Sequence, residues 1–489
     1  MHMKKLIALM ILILVFSSCK KLEDLNKNTK NPLYVTGESL FTGAQVNLFQ
    51  EMVSPNVWYN IWRLIMQQWT ETTYTTESNY FLAGEPDNHW IWMYQYVLKD
   101  LDQAKKNITQ TVYLNDPDTA VKRNRLAIVE VMTVYTWSIL VETYGNIPYS
   151  EALNINNLLP KYDDGLTIYK DLINRLSVAI SQMDPNPAFG SMGSADLIYS
   201  GDVASWLKFA NSLKLRMGML LSDVDPVFAK TAVAEAASSP GGLISSNDEN
   251  VKLVYMSSPP NTNPIYDYIV ASGRHDFVPA NTLVDTMNLL NDPRRPFYFT
   301  EIDTSTTPGI IKLAYVGGVN GATNDFTKFS HIADRIQEPT FEGLIFDYAE
   351  TELLLAEGAE RGYNVGGTAE EHYKKGVKAS ITYWGGSEAD AETYLGDPRV
   401  GYSTAPGDFK RKIGFQMWIA LYNRGFEAWT EYRKFDYPVL EPPPTKLADF
   451  PIRFTYPIEE QTLNGASYAA ASAAIGGDLV TTKLFWDKH

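Results

Sequence analysis

Cysteine occurs once in these 489 residues, at Cys19, so no intramolecular disulfide can form and no free thiol remains for nucleophilic chemistry if that residue is modified. Positive charge is in deficit. Fifty-seven acids against 42 Lys and Arg leave a formal net charge of −15, which repels nucleic acid phosphates and anionic lipid and excludes both as partners. Histidine is scarce. The six are His2, His89, His275, His331, His372 and His489, and none sits at the spacing of a helical zinc motif, so no metal or cofactor is expected. The chain also lacks a GxSxG elbow, a GxxxxGK[ST] phosphate loop and a GxGxxG turn after a strand. Gly317-Gly318 and Gly366-Gly367 read as turns instead. Carboxylates remain as candidate acid–base pairs, but such pairs meet only in space and leave no sequence signature. On the segment holding Asp347, Glu350, Glu352 and Glu357, capping, ion pairing and solvation are the expected roles.

Long apolar runs are confined to the N-terminus. Lys4 and Lys5 precede the apolar stretch Leu6–Phe16, too short to cross roughly 30 Å of hydrocarbon as a helix and therefore read as a secretion signal. Ser17 and Ser18 put two small residues before Cys19, the arrangement in which a thiol accepts a diacylglycerol after signal cleavage. Phe16 stands where Leu is more common. The organisation expected is a signal peptide at 1–18, a lipidated Cys19 with a polar tether to 31, and one domain over 32–489. No later segment reads as long and apolar enough to span a bilayer.

What the chain has in excess is aromatic side chains, 12% of residues with 29 Tyr. Most should be core. Tyr and Trp also offer the flat faces on which sugars and extended peptides stack. The 3.6-residue period predicts a mainly α fold. Helices are expected at 123–144 (apolar on nearly all sides), 164–183 (capped by Asp163 or Asp164), 206–221 and 226–236 (opened by Asp225-Pro226). Others are expected at 346–361, 369–384 and 413–433. Three neighbouring pairs joined by short links suggest tetratricopeptide-like stacking. Between 242 and 345 Pro, Gly, Asn and Ser rise, and a loop-rich, short-stranded insert is expected there. Trp58, Trp62, Ile65 and Trp69 recur at helical spacing and are expected in the core.

Several segments resemble the SusD/RagB family of outer-membrane lipoproteins. Tyr144–Leu153 (YGNIPYSEAL) is similar to its (W/F)GD(V/I)PYSEAL segment, and Asp292–Phe299 to DPRLPxYF. Tyr348–Ala359 resembles YAExxLLLAEAA, Ala379–Gly385 resembles ASIxYWG, and Trp418–Trp429 resembles WIALFxxGxEAW. At the C-terminus, Tyr456-Pro457, Glu460-Gln461, Leu463-Asn464, Gly476–Asp478 and Trp486–Lys488 follow YPxxEQxLN…GGD…WWDK. Asn26–Pro32 and Leu40–Gln45 resemble the family's opening. Tyr144 and Phe485 depart from the usual residues conservatively.

The resemblance implies a lipid-anchored, non-catalytic protein with tetratricopeptide-like helices. It also implies a role as lid on a SusC-like TonB-dependent transporter, capturing oligosaccharides or peptides at the outer membrane and releasing them to it. The ligand is expected in the variable loops. The first candidate is Thr70–Trp90, where Tyr74 and Tyr80 read as exposed aromatics and Asn79 as a paired donor and acceptor. The second is Asn261–Phe277, with Tyr266, Arg274 and Asp276; Arg274 can grip a carboxylate, or simply pair with Asp276 to anchor a loop. A surface glycoside hydrolase and a non-binding structural adaptor remain alternatives.

Overall fold

Helices pack in antiparallel pairs because each buries its apolar stripe against the next. The computed structural model describes Met3, residues 35–112 and residues 116–489, the side chains of 116–118 excepted. The leader, Cys19 and the tether expected at 19–31 lie outside the described residues. Residues Gly37–His489 form one compact unit. Within it, α1 (Gly37–Val53) packs on α2 (Lys99–Gln110), and α3 (Asp116–Tyr144) on α4 (Gly165–Gln182). Likewise α5 (Val203–Leu220) packs on α6 (Pro226–Ala237), and α7 (Tyr348–Glu360) on α8 (Ala369–Trp384). The last three are the pairs expected from periodicity. The first escapes it, since 45 residues separate its helices in the chain.

Local chemistry sets the helix starts. The side chains of Asp164, Asp225 and Asp347 accept from the backbone N–H of Thr167, Phe228 and Glu350 at 2.8, 3.1 and 2.7 Å. Thr368 and Glu371 form a reciprocal capping box. Each such cap is worth about 1 kcal/mol. The expectation that no later segment could span a bilayer fails for Thr119–Tyr144, long and apolar enough by length and composition. Yet its most apolar 18-residue window is 89% buried against its neighbours, so it is a core helix. All the sheets among the described residues are two-stranded, so strands act as stitches between loops.

The helix expected over 413–433 is two: α9 (Phe409–Ala420) and α10 (Gly425–Phe435). The break is steric. Gly425 lies so close to the backbone of Trp62 and Arg63 that a Cβ would sit 2.4 Å from the Arg63 nitrogen, and Asn423 takes φ +67° to make the turn. Trp384, Trp418, Trp429 and Trp486 are all buried, as expected of core residues.

Acids expected to be partly solvated are instead inside. Asp347, Glu350, Glu352 and Glu357 are buried. Arg424 reaches Glu350 at 2.5 Å, Asp347 at 3.4 Å and Glu427 at 3.9 Å; Arg216 of α5 approaches Glu350 at 3.5 Å. Lys434 meets Glu357 at 2.8 Å and Glu431 at 2.5 Å. Burial pushes Asp347 and Glu427 above the usual carboxylate range and Glu431 to about 7. Removing one partner of such a set strands a charge in a poor solvent. Glu350→Ala is therefore expected to cost on the order of 3–5 kcal/mol in urea unfolding. A cost below 1 kcal/mol would show the network to be dispensable.

Candidate functional site

The 54–84 segment loops out between α1 and the helical run from Glu85 that continues into α2, and it is tied down from three directions. Strand β1 (Trp69–Glu71) pairs antiparallel with β2 (Phe277–Pro279), Glu71 opposite Phe277. That register sets the chain following Glu71 beside the chain preceding Phe277, across two hundred residues of sequence. Thr72 extends the stitch: its N–H donates to the Asp276 carbonyl at 2.8 Å and its hydroxyl to the His275 carbonyl at 2.7 Å. From a third loop, the Asn324 amide donates to the Glu71 carbonyl at 3.0 Å.

Between these loops lies a cavity of about 460 Å³, within the range of small-ligand sites. Its aromatic wall is Trp58, Tyr74, Tyr268 and Phe277; its polar groups are Arg274, Asp276 and the carboxyls of Glu71, Glu77 and Glu85. Tyr74 is 84% exposed at φ +54° and Trp58 is 64% exposed. Free aromatic faces of that size in solvent invite a ligand that stacks on them. Arg274 lies over the Tyr268 ring, 5.1 Å from its centroid, and its Nε donates to Asp276 at 2.5 Å. Among the described residues no hydrogen bond engages the two terminal nitrogens of Arg274, so the ion pair holds the arm and leaves its fork available.

Of the residues expected to bind ligand, Tyr74, Arg274 and Asp276 come together on this cavity. Tyr80 does not. Expected to be exposed, it is 2% exposed, its ring edge-on to Phe450 and its hydroxyl accepting from Gln67 Nε2 at 2.8 Å. Asn79 is buried as well. Its amide donates to the carbonyls of Thr75 and Gly321 and its Oδ1 accepts from Thr445, so its donor and acceptor serve three loops and not a ligand. The left-handed turn at Tyr80 folds this part of the loop inward and leaves Tyr74 at the rim. Tyr266 is half-buried and lines neither this cavity nor its neighbour; two residues on along the same π-turn, Tyr268 faces the cavity.

Trp58 corrects the reading in the other direction. Trp62, Ile65 and Trp69 are core, but Trp58 precedes the helix Trp62–Ile65 and lies in a turn held by Asn56 and Asn88. Helical spacing says nothing about a residue outside the helix. Pro55-Asn56 was the turn signal.

The acids show how the cavity is charged. Burial, and then the neighbouring Glu77 carboxylate, push Glu71 up to about 9; burial pushes Glu85 up to about 7. Glu71 accepts from the Ser78 N–H at 3.0 Å. Among the described residues no group of three or more His, Cys, Asp or Glu could hold a metal ion.

Fold and cavity define a class: a stack of helical pairs with an aromatic-lined cavity between inserted loops. Residues 28–457 match the SusD-like family described as starch-binding and associating with the outer membrane, and the chain belongs to that family. Among solved structures it is similar to a chitin-binding protein, at 27% identity, TM-score 0.79 and coverage of 93% of this chain and 100% of that one. A SusD homologue from Bacteroides uniformis ATCC 8492 has 27% identity and TM-score 0.74 over 92% and 99%. A chitin-binding SusD homologue from Flavobacterium johnsoniae has 24% identity and TM-score 0.74 over 91% and 98%. No curated protein matches the sequence.

A carboxyl whose folded pKa lies above its unfolded value stabilises fully below that value, and the contribution is lost as pH rises through the folded one. The native protein should thus lose stability between about pH 5 and 9 through Glu71, and Glu71→Gln, which keeps the shape of the protonated group, should lose less. Thermal unfolding across that range checks it; parallel curves for the two proteins would contradict it.

Proposed function

We propose that this protein is a cell-surface capture lipoprotein: anchored through Cys19, it holds an oligosaccharide in the aromatic cavity and passes it to a SusC-like TonB-dependent transporter. The observation that carries the reading is the pairing of solvent-exposed Trp58 and Tyr74 with Tyr268 and the Arg274–Asp276 pair around one cavity. Sugar rings stack on such faces, and their hydroxyls need the mixed donors and acceptors found beside them. Membership in a family described as starch-binding supports a glycan over a peptide, as does a structural relative that binds chitin at 27% identity.

A lid must release its cargo, so affinity should be modest.

Calorimetry of the chain from Lys20 onward with chito-oligosaccharides, malto-oligosaccharides and peptides tests the reading. Saturable binding to a glycan is expected, weakened about tenfold or more by Trp58→Ala or Tyr74→Ala. Tyr80→Ala should instead lower the melting temperature, since it removes a packed ring. Peptide binding alone, hydrolysis of a bound glycan, or silence in all panels would overturn it.

A further inference from the structure

A second cavity, of about 330 Å³, adjoins the first, and Arg274 and Phe277 line both. The segment from Arg274 to Phe277 therefore forms a wall common to both cavities. The two are lined differently. Four carboxyl side chains line the first cavity. The second has none among its lining residues, in a protein of net charge −15. Its polar groups are Arg274, His275, His331 and Gln337, and its wall includes a three-ring stack. Phe326 lies 4.2 Å from His275 and 3.9 Å from His331, centroid to centroid, with interplanar angles of 10° and 14°.

The contacts already made decide what is left for a ligand. His331 Nε2 is 3.0 Å from the Phe326 carbonyl, which can only accept, so Nε2 carries a proton and Nδ1 is the nitrogen left for a sugar hydroxyl. Gln337 donates its amide to the Ile332 carbonyl at 2.7 Å, which leaves its oxygen for a hydroxyl donor. Arg274 is tied through Nε alone. A ring nitrogen and an amide oxygen for hydroxyls, the outer imidazole faces of the stack, and a guanidinium whose partner Asp276 does not line this cavity together match one sugar type.

We propose that the second cavity is a subsite for an acidic sugar, whose carboxylate pairs with Arg274 while its hydroxyls meet His331 and Gln337 beside the His275–Phe326–His331 stack. This rests on the glycan-binding reading of the first cavity and adds a substrate class to it: an oligosaccharide carrying uronic acid units. A net charge of −15 works against any polyanion at long range, so a preference for acid can only come from a local site.

The test is calorimetry at physiological ionic strength with three hexamers: neutral N-acetylglucosamine, galacturonic acid, and the alternating N-acetylglucosamine–glucuronic acid chain. The alternating hexamer is expected to bind about tenfold more tightly than the neutral one, the scale of one charge-assisted pair. Arg274→Gln should bring that ratio to about one by removing the charge, and Phe326→Ala should do so by removing the stack. Equal affinity of neutral and acidic hexamers, or an acid preference that survives both variants, overturns the subsite while leaving the first cavity's role intact. Acid binding that needs Phe326 but is indifferent to Trp58→Ala and Tyr74→Ala overturns the reading of the first cavity and keeps the subsite. Silence with all three overturns both.

Discussion

Arg424 is buried with Asp347, Glu350 and Glu427 around it, and much of the molecule is organised by that charge. A guanidinium in such a place must have its acids within reach, and they come from the start of α7 and the first turn of α10. Arg216 carries the same constraint into α5. Three helices from three parts of the chain are thus bound to one electrostatic knot, and sliding any of them by a turn would leave an ion unpaired. The apolar stripes favour packing in general; the ions select one packing.

The same knot reaches the ligand cavity. Arg424 closes the turn between α9 and α10, and that turn seats the segment leading into β1. Asn423 Oδ1 accepts from Arg63 at 2.7 Å, the Leu421 carbonyl accepts from Gln68 at 3.0 Å, and Trp418 donates to the Met66 carbonyl at 2.9 Å. Arg63 also donates to the carbonyls of Val53 and Ser54, at the foot of the loop bearing Trp58. The segments flanking the cavity loops are thus tied to buried core, whereas Trp58 and Tyr74 stand at the cavity in solvent.

The three chain-adjacent helical pairs were legible because a 3.6-residue apolar period and an Asp or Thr before it are local signals. The pairing of α1 with α2 was not, since nothing in a sequence marks helices that meet across an intervening loop. Within the loops the reading was mixed. Tyr74, Arg274 and Asp276 meet at one cavity. Tyr80 and Asn79, in the same polar stretch, turn inward at a left-handed residue that composition does not reveal. Trp58 was assigned to the core by a spacing that belonged to the next helix. Capping and ion pairing were expected of the acid-rich helix and are found, but its burial was not, because its cations Arg424 and Lys434 come from the start and end of α10, more than sixty residues further along.

The sequence by itself determined the helical class, the caps, the buried tryptophans and the family, each of which depends on residues near one another in the chain or on their order along it. Only the tertiary structure decided which aromatics face solvent, which acids are buried and which loops share a cavity. Burial is set by packing between segments far apart in the chain, as where Glu71 lies opposite Phe277 or Arg424 beside Glu350.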